Sequence, residues 1–290
     1  MTNRGPMRVC AIHDLSAYGR CALTVVIPAL SACGIQTIPL PTALMSTHTG
    51  GFDDIYIRDL TEDMRGMYSH WQKLGVDFDA IYSGFVLHAG QGEIIAEVID
   101  SFKTQDTLVL VDPVMGDHGE LYSTCTPDIA ECMARLCAKA DLITPNLTEA
   151  CILSRVPYPS GSFSSREEAC AFITPILSEL SRLCGRIAVT GIEFTEGGDT
   201  HVMCACFDGK GAGDVFFHSQ KKEGASYPGT GELFASVLLG LMMRGCEFES
   251  AVKKSSGFVL DTIVHSEKYN LDKRAGTALE TSLMNLSALL

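Results

Sequence analysis

The chain has 290 residues, 46% hydrophobic and 20% charged, the composition of a folded globular protein rather than a disordered one. Its formal net charge of −13 argues against a nucleic-acid surface, whose footprint is basic, and no Lys/Arg run is present to hold an anionic membrane. No segment approaches the roughly 18 uninterrupted apolar residues of a membrane span, and the amino end is too poor in apolar residues for a signal peptide, so a cytoplasmic protein is expected.

From the amino end, "RVCAI" (8–12) reads as a strand and about 21–33 as a helix. Further strands are expected at 35–40, 80–84, 107–112, 141–145 and 186–191. Helices are expected between them at about 60–74, 91–103, 127–138, 147–154 and 165–183. The helix after Thr126 opens with an N-cap residue, a proline at the first helical position and Asp128 in the first turn. This alternation of apolar strands with amphipathic helices predicts an α/β fold, a mainly parallel sheet covered on both faces, as one domain over 1–290. Ligands of such sheets bind outside the carboxyl ends of the strands.

The rhythm breaks at 200–219, where two strand-like runs flank "GKGAG", the pattern of a hairpin. Helices are then expected at 231–244, 248–266 and about 274–288. The twelve cysteines contain no Cys-x-x-Cys pair and the eight histidines lack metal-ligand spacing, so reduced thiols are expected and zinc is not.

Two glycine–acid runs compete as a reaction centre. A carboxylate that deprotonates a phosphoryl acceptor needs nearby backbone N–H groups to hold phosphate oxygens, and the start of a helix supplies them. "GAGD" (211–214) is followed by β-formers, so its glycines are read as a hairpin turn. "GTGE" (229–232) is followed by Leu233, Phe234, Val237, Leu238 and Leu241, a broad apolar helix face. Other strand ends carry matching chemistry. "VDPVMGD" places Asp112 at a strand tip and Asp117 in the loop beyond, a spacing suited to water-mediated Mg²⁺ or to orienting a phosphate loop. "ITPNLTE" places Asn146 and Glu149 at capping-box spacing, and capping alone is a sufficient reading of both. "AVTG" places Thr190 and Gly191 at a third strand end.

The ordered set DPVMGD, ITPNLTE, VTG and GTGELF, with the early "PLPTALMSTHTGGF", resembles the pyridoxal kinases of the ribokinase superfamily over about residues 9–245. The resemblance implies a three-layer ribokinase-like fold with a hairpin before the anion-hole helix, a homodimer, and ATP with Mg²⁺, with a monovalent cation as a further option. It implies transfer of the γ-phosphoryl group to the 5′-hydroxymethyl of a vitamin B6 vitamer. By position, Gly229, Thr230 and Gly231 would form the anion hole, with Glu232 as general base where the family usually has aspartate. Asp112, Asp117, Asn146, Glu149 and Thr190 would serve nucleotide and metal, with Asp117 and Glu149 reaching the metal through water. His48, Thr49 and Phe85 would meet the pyridine, Phe85 standing where related kinases often have tyrosine.

Two departures stand out. Glu232 carries its charge one methylene farther out than aspartate, roughly 1.5 Å. Near the amino end, "HDLSAYG" puts Asp14 where the family tends to have serine, with Ser16 beyond it, and a second anion beside the substrate would favour pyridoxamine. Lys221 and Lys222 read as a solvated loop, and His88 and His118 as structural or exposed. The rivals are a hydroxymethylpyrimidine kinase, whose members tend to carry cysteine at the position of Glu232, and a catalytically silent vitamer- or nucleotide-binding protein.

Overall fold

A computed structural model describes residues 5–209 and 214–289. The first strand, β1 (Arg8–Ile12), already serves two cores, because alternate side chains point to opposite faces: Cys10 and Ile12 to one, Val9 and Ala11 to the other. β2 (Leu15–Tyr18), α1 (Leu23–Ala32), β3 (Gln36–Pro39), β4 (Ala43–Thr47) and β5 (Ile57–Asp59) follow. The alternation continues through α2 (Thr61–Leu74), β6 (Ala80–Ser83), α3 (Ala89–Phe102) and β7 (Leu108–Val111). A small hairpin, β8 (Gly116–Asp117) and β9 (Glu120–Leu121), precedes α4 (Pro127–Cys137), β10 (Leu142–Ile143), α5 (Leu147–Ser154) and α6 (Arg166–Leu180). Three strands, β11 (Arg186–Glu196), β12 (Asp199–Asp208) and β13 (Asp214–Lys221), then lead to α7 (Thr230–Met243) and α8 (Phe248–Ser266).

Eight strands form one sheet in the order β13-β12-β11-β10-β7-β6-β1-β3. Pairings from β3 to β11 are parallel, and β12 and β13 add on antiparallel. Helices α2 to α6 pack on the face that includes Ile12, Ile81 and Val111, while α1, α7 and α8 cover the face that includes Ala11, Tyr82 and Leu110. This is the three-layer α/β arrangement expected from the strand–helix alternation. Each central strand is buried on both faces, which is why these runs read as nearly continuous apolar sequence. Among the described residues no helix is long and apolar enough to cross a membrane.

The predicted hairpin is the β12–β13 pair, in register from Asp208 opposite Asp214 to His201 opposite Lys221. Its turn, including Gly211 to Gly213 of the GAGD run, lies outside the described residues. Lys221 closes β13 rather than lying in a loop, and pairs with Asp199 at 2.9 Å.

The structure departs from the sequence reading in further places, among them the small β8-β9 sheet where a loop is expected. A second sheet, β2-β4-β5, was not anticipated; its strands are short and partly exposed, with Tyr18, Leu44 and Ile57 facing outward, so they lack the apolar runs of the main sheet. β11 runs on to Glu196 past a register shift between Val189 and Ile192. The helix expected at about 274–288 is instead two 3₁₀ segments, Lys273–Ala275 and Leu283–Leu289, around the short α9 (Leu279–Ser282). Gly276 separates them: its φ of +82° leaves the helical region, and a Cβ there would stand 2.8 Å from the Arg20 carbonyl.

Candidate active site

The parallel strands end on one edge, and their first loop residues converge there. Asp14 lies just past β1, Phe85 past β6, Asp112 past β7, Asn146 past β10, and Thr190 at the bulge of β11. These residues, with His48, Thr49, Asp117, Glu149, Gly229, Thr230, Gly231 and Glu232, line a single cleft of about 390 Å³. Ser16 is the exception. The second residue of β2 points inward, so Ser16 is fully buried behind Asp14 and its hydroxyl donates to Asp14 Oδ2 at 2.8 Å. It positions the acid and does not itself face the cleft.

The cleft floor is the start of α7. No side chain caps this helix, whereas Asn146 caps α5 and Ser165 caps α6. Its first backbone N–H groups are therefore free of side-chain partners, and they carry the positive end of a 14-residue helix. A Cβ on exposed Gly231 would meet nothing within 4 Å, which leaves room for an anion. Gly229 is fixed by two constraints. Its φ is +82°, and any side chain there would collide with the Arg20 carbonyl.

Glu232, in the first turn, reaches across the cleft floor to the start of α1. Its Oε1 accepts from the Ala22 N–H at 3.2 Å and from the Cys21 thiol at 3.3 Å. Ala22 adopts φ +52° and ψ −130°, a conformation that L-residues rarely take. That strain sits at the residue whose N–H meets the acid.

Asp14, Asp112 and Glu149 are buried. Burial, with the charge of Glu232 beside it, pushes Asp14 up to about 7 and Asp112 up to about 8. Among the described residues Asp14 makes no ion pair. Glu149 is raised well above the usual carboxylate range, by burial and then by Asp112. Both of its oxygens accept from backbone: Oε1 from Met115 N–H at 3.0 Å, Oε2 from Asn146 N–H at 2.8 Å. Asn146 Oδ1 returns the bond from Glu149 N–H, completing the capping box, and its Nδ2 donates to the Gly116 carbonyl at 2.7 Å. This pair thus ties the β8–β9 hairpin to α5 and aims Asp117 into the cleft. Asp117 is half exposed, with Oδ1 accepting from the His118 N–H.

Around the cleft mouth, His48 has both ring nitrogens occupied. Nδ1 accepts from the Gly50 N–H at 3.1 Å, so Nε2 carries the proton and donates to the Arg274 carbonyl at 2.6 Å. That leaves only its ring to face a ligand. Lys222 lines the cleft but is paired with Glu193 at 2.6 Å. His118 also lines it; His88 lies elsewhere, against Asp59.

The sequence reading missed Cys21 and the far end of the cleft. There Val202 and Cys204 of β12, His218 and Gln220 of β13, and Val259 and Ile263 of α8 form a largely apolar slot with a few polar groups. A flat heteroaromatic group fits that chemistry. These residues carry no local motif, because the slot exists only where the hairpin meets α8.

Among the described residues no group of three or more His, Cys, Asp and Glu side chains is arranged to hold a metal ion alone. Among the described residues the cleft's acids outnumber its lysine, so a polyphosphate would enter against their charge unless a cation came with it. One open carboxylate, Asp117, suits Mg²⁺ that is held chiefly by phosphate oxygens and water.

The family model described as phosphomethylpyrimidine kinase matches residues 18–278. The chain is 25% identical to pyridoxal kinase PdxY of Leifsonia xyli subsp. xyli over 266 residues, 89% of this chain and 88% of that protein. A crystal structure of a putative phosphomethylpyrimidine kinase from Bacteroides thetaiotaomicron, in a form with pyridoxal, is 34% identical with a TM-score of 0.87, covering 97% of this chain and 96% of that one. The pyridoxal kinase from Lactobacillus plantarum is 27% identical with a TM-score of 0.85, covering 98% and 97%.

Proposed function

The chain is a small-molecule kinase of the family that the phosphomethylpyrimidine kinase model describes, the ribokinase-superfamily group of the pyridoxal kinases, and we propose that it phosphorylates a vitamin B6 vitamer with ATP. One observation carries the chemistry: an acid held by the start of α1 stands beside the uncapped amides of α7, with open space in front of Gly231. The relatives support the acceptor class, since one is named a pyridoxal kinase and another was crystallised with pyridoxal.

In this reading the acceptor's 5′-hydroxymethyl points at Glu232. The carboxylate takes the hydroxyl proton as the oxygen bonds to the γ-phosphorus and the bond to ADP breaks. The amides of Thr230, Gly231 and Glu232 offset the charge on the transferring oxygens; loss of one such donor typically costs about 10²–10³ in rate. Asp117 would hold Mg²⁺, with Glu149 reaching it only through water, and the ion would supply neutralisation of phosphate charge. Asn146, Thr190 and Asp112 border the phosphates, and the slot between the hairpin and α8 takes the adenine. Thr49 and Phe85 face the pyridine, Phe85 through its ring.

The extra methylene of Glu232 has a structural use: it lets the carboxylate span from α7 to the Ala22 N–H. Asp14 favours a cationic acceptor. It is buried without an ion-pair partner among the described residues, and a protonated amine would supply one, so pyridoxamine is the preferred vitamer. In this reading residues 1–290 act as one kinase domain, and a homodimer is an expectation that rests on the sequence resemblance alone.

The test is ADP release with ATP, Mg²⁺ and each of pyridoxamine, pyridoxal, pyridoxine and hydroxymethylpyrimidine. The reading expects turnover with all three vitamers, highest kcat/KM for pyridoxamine, and little with the pyrimidine. No acceptor-dependent ADP would point to a silent binder. Equal or better use of pyridoxal would remove the role given to Asp14.

A further inference from the structure

The segment 272–280 carries none of the recognised motifs, yet it touches both loops that frame the acceptor side of the cleft. Arg20 N–H donates to the Ala275 carbonyl at 2.9 Å, and Arg20 Nε lies 2.9 Å from each oxygen of Glu280. The Arg20 carbonyl is wedged between Gly229 and Gly276, neither of which could carry a side chain there. The loop that presents Cys21 and Ala22 to Glu232 is thus pressed between α7 and this segment.

Arg274 holds the other loop. Its carbonyl accepts from His48 Nε2, and its Nη1 donates to the Gly51 carbonyl at 3.3 Å. Its guanidinium carbon lies 4.9 Å from the Phe52 ring centroid. Phe52 in turn packs edge-on against His48, with ring centroids 5.0 Å apart. Asp272 braces the guanidinium: its Oδ2 accepts from Nη2 at 2.8 Å and its Oδ1 from Nε at 3.1 Å. The grip involves main chain and side chain on both sides, while the arginine itself stays about half exposed.

We propose that Arg274 is a positioning residue for the acceptor, clamping His48–Phe52 over the cleft so that the acceptor is enclosed and water is kept from the phosphate. This rests on the proposed function only in taking the acceptor to bind beside that loop. The fork matters as much as the charge, since one face stacks on Phe52 while its N–H groups reach Gly51 and Asp272. Lys273, the neighbouring cation, lies 3.9 Å from Glu267 and makes none of these contacts with the loop.

The experiment compares wild type, Arg274→Ala and Lys273→Ala. Arg274→Ala is expected to raise KM for pyridoxamine about tenfold or more, leave KM for ATP within about twofold, and raise acceptor-independent ATP hydrolysis relative to transfer. Lys273→Ala is expected to match wild type. Hydrogen exchange, read without turnover, should speed up at amides 49–52 in Arg274→Ala and stay unchanged at 230–233. Should Arg274→Ala fold poorly, Phe52→Leu, which removes the ring beneath the guanidinium, must show the same split. An unchanged acceptor KM, an equal rise in both KM values, or unaltered exchange at 49–52 overturns the clamp. Wild-type protein that phosphorylates no vitamer contradicts the proposed function instead, and the exchange comparison still decides the clamp.

Discussion

Cys21 and Glu232, 211 residues apart in sequence, meet at 3.3 Å between the thiol and Oε1. The thiol is pushed far above its usual range by burial and by the charge of Glu232, so it stays protonated and acts as a donor. With the Ala22 N–H it restrains one carboxylate oxygen at the start of α1 and leaves the other available to the acceptor.

This geometry predicts that the family's usual aspartate is the wrong length here. Glu232→Asp withdraws the carboxylate by roughly one C–C bond and loses the reach to Ala22. kcat should fall on the order of 10- to 10²-fold with little change in melting temperature. Steady-state kinetics at saturating ATP decide it; equal or faster turnover would show that the span to α1 has no role.

Gly229→Ala should be severe. The methyl group would need a positive φ and would drive into the Arg20 carbonyl. The backbone term alone costs about 1–2 kcal/mol. Displacing the anion-hole turn by about 1 Å should lower kcat/KM on the order of 10²-fold. A variant with wild-type melting temperature and turnover would mean that the turn tolerates a conformation not seen in this structure.

The contribution of Asp14 to stability should fall with rising pH, against that of neighbouring His13, whose burial lowers it to about 3 and favours the folded state as pH climbs toward 6.5. The unfolded chain releases the Asp14 proton near 3.8, while burial keeps it bound in the folded protein up to about 7. Between these values the folded state holds a proton that the unfolded state lacks. Stability from this group is therefore full below about pH 4 and lost as pH climbs to about 7. Asp112, raised to about 8, acts in the same direction as Asp14, and Asp14→Asn should lose less stability than wild type between pH 5 and pH 8. Urea midpoints at pH 5 and pH 8 measure this; identical declines in variant and wild type would contradict it.

Much of the site was legible because its parts are local. A strand end followed by an acid, and glycines followed by an apolar helix, are patterns of a few residues, and they place Asp112, Asn146 and Glu232 on one sheet edge. The same logic separated GTGE from GAGD, since only Glu232 is followed by a helix. What the sequence hid depends on long-range contact or weak periodicity. Nothing near Cys21 announces a partner at 232, and nothing near Arg274 announces His48. β2, β4 and β5 are too short and too exposed to stand out. Ser16 was misplaced because its distance along the chain from Asp14 does not reveal that strand geometry turns it inward.

The most direct measurement is the kinetics of Glu232→Gln with pyridoxamine, alongside ADP binding by calorimetry. Glutamine keeps the size, the helix position and an oxygen for the Ala22 N–H, but it cannot take a proton. kcat should fall at least about 10²-fold with ADP affinity within about twofold of wild type. Turnover preserved in that variant would rule out Glu232 as the base.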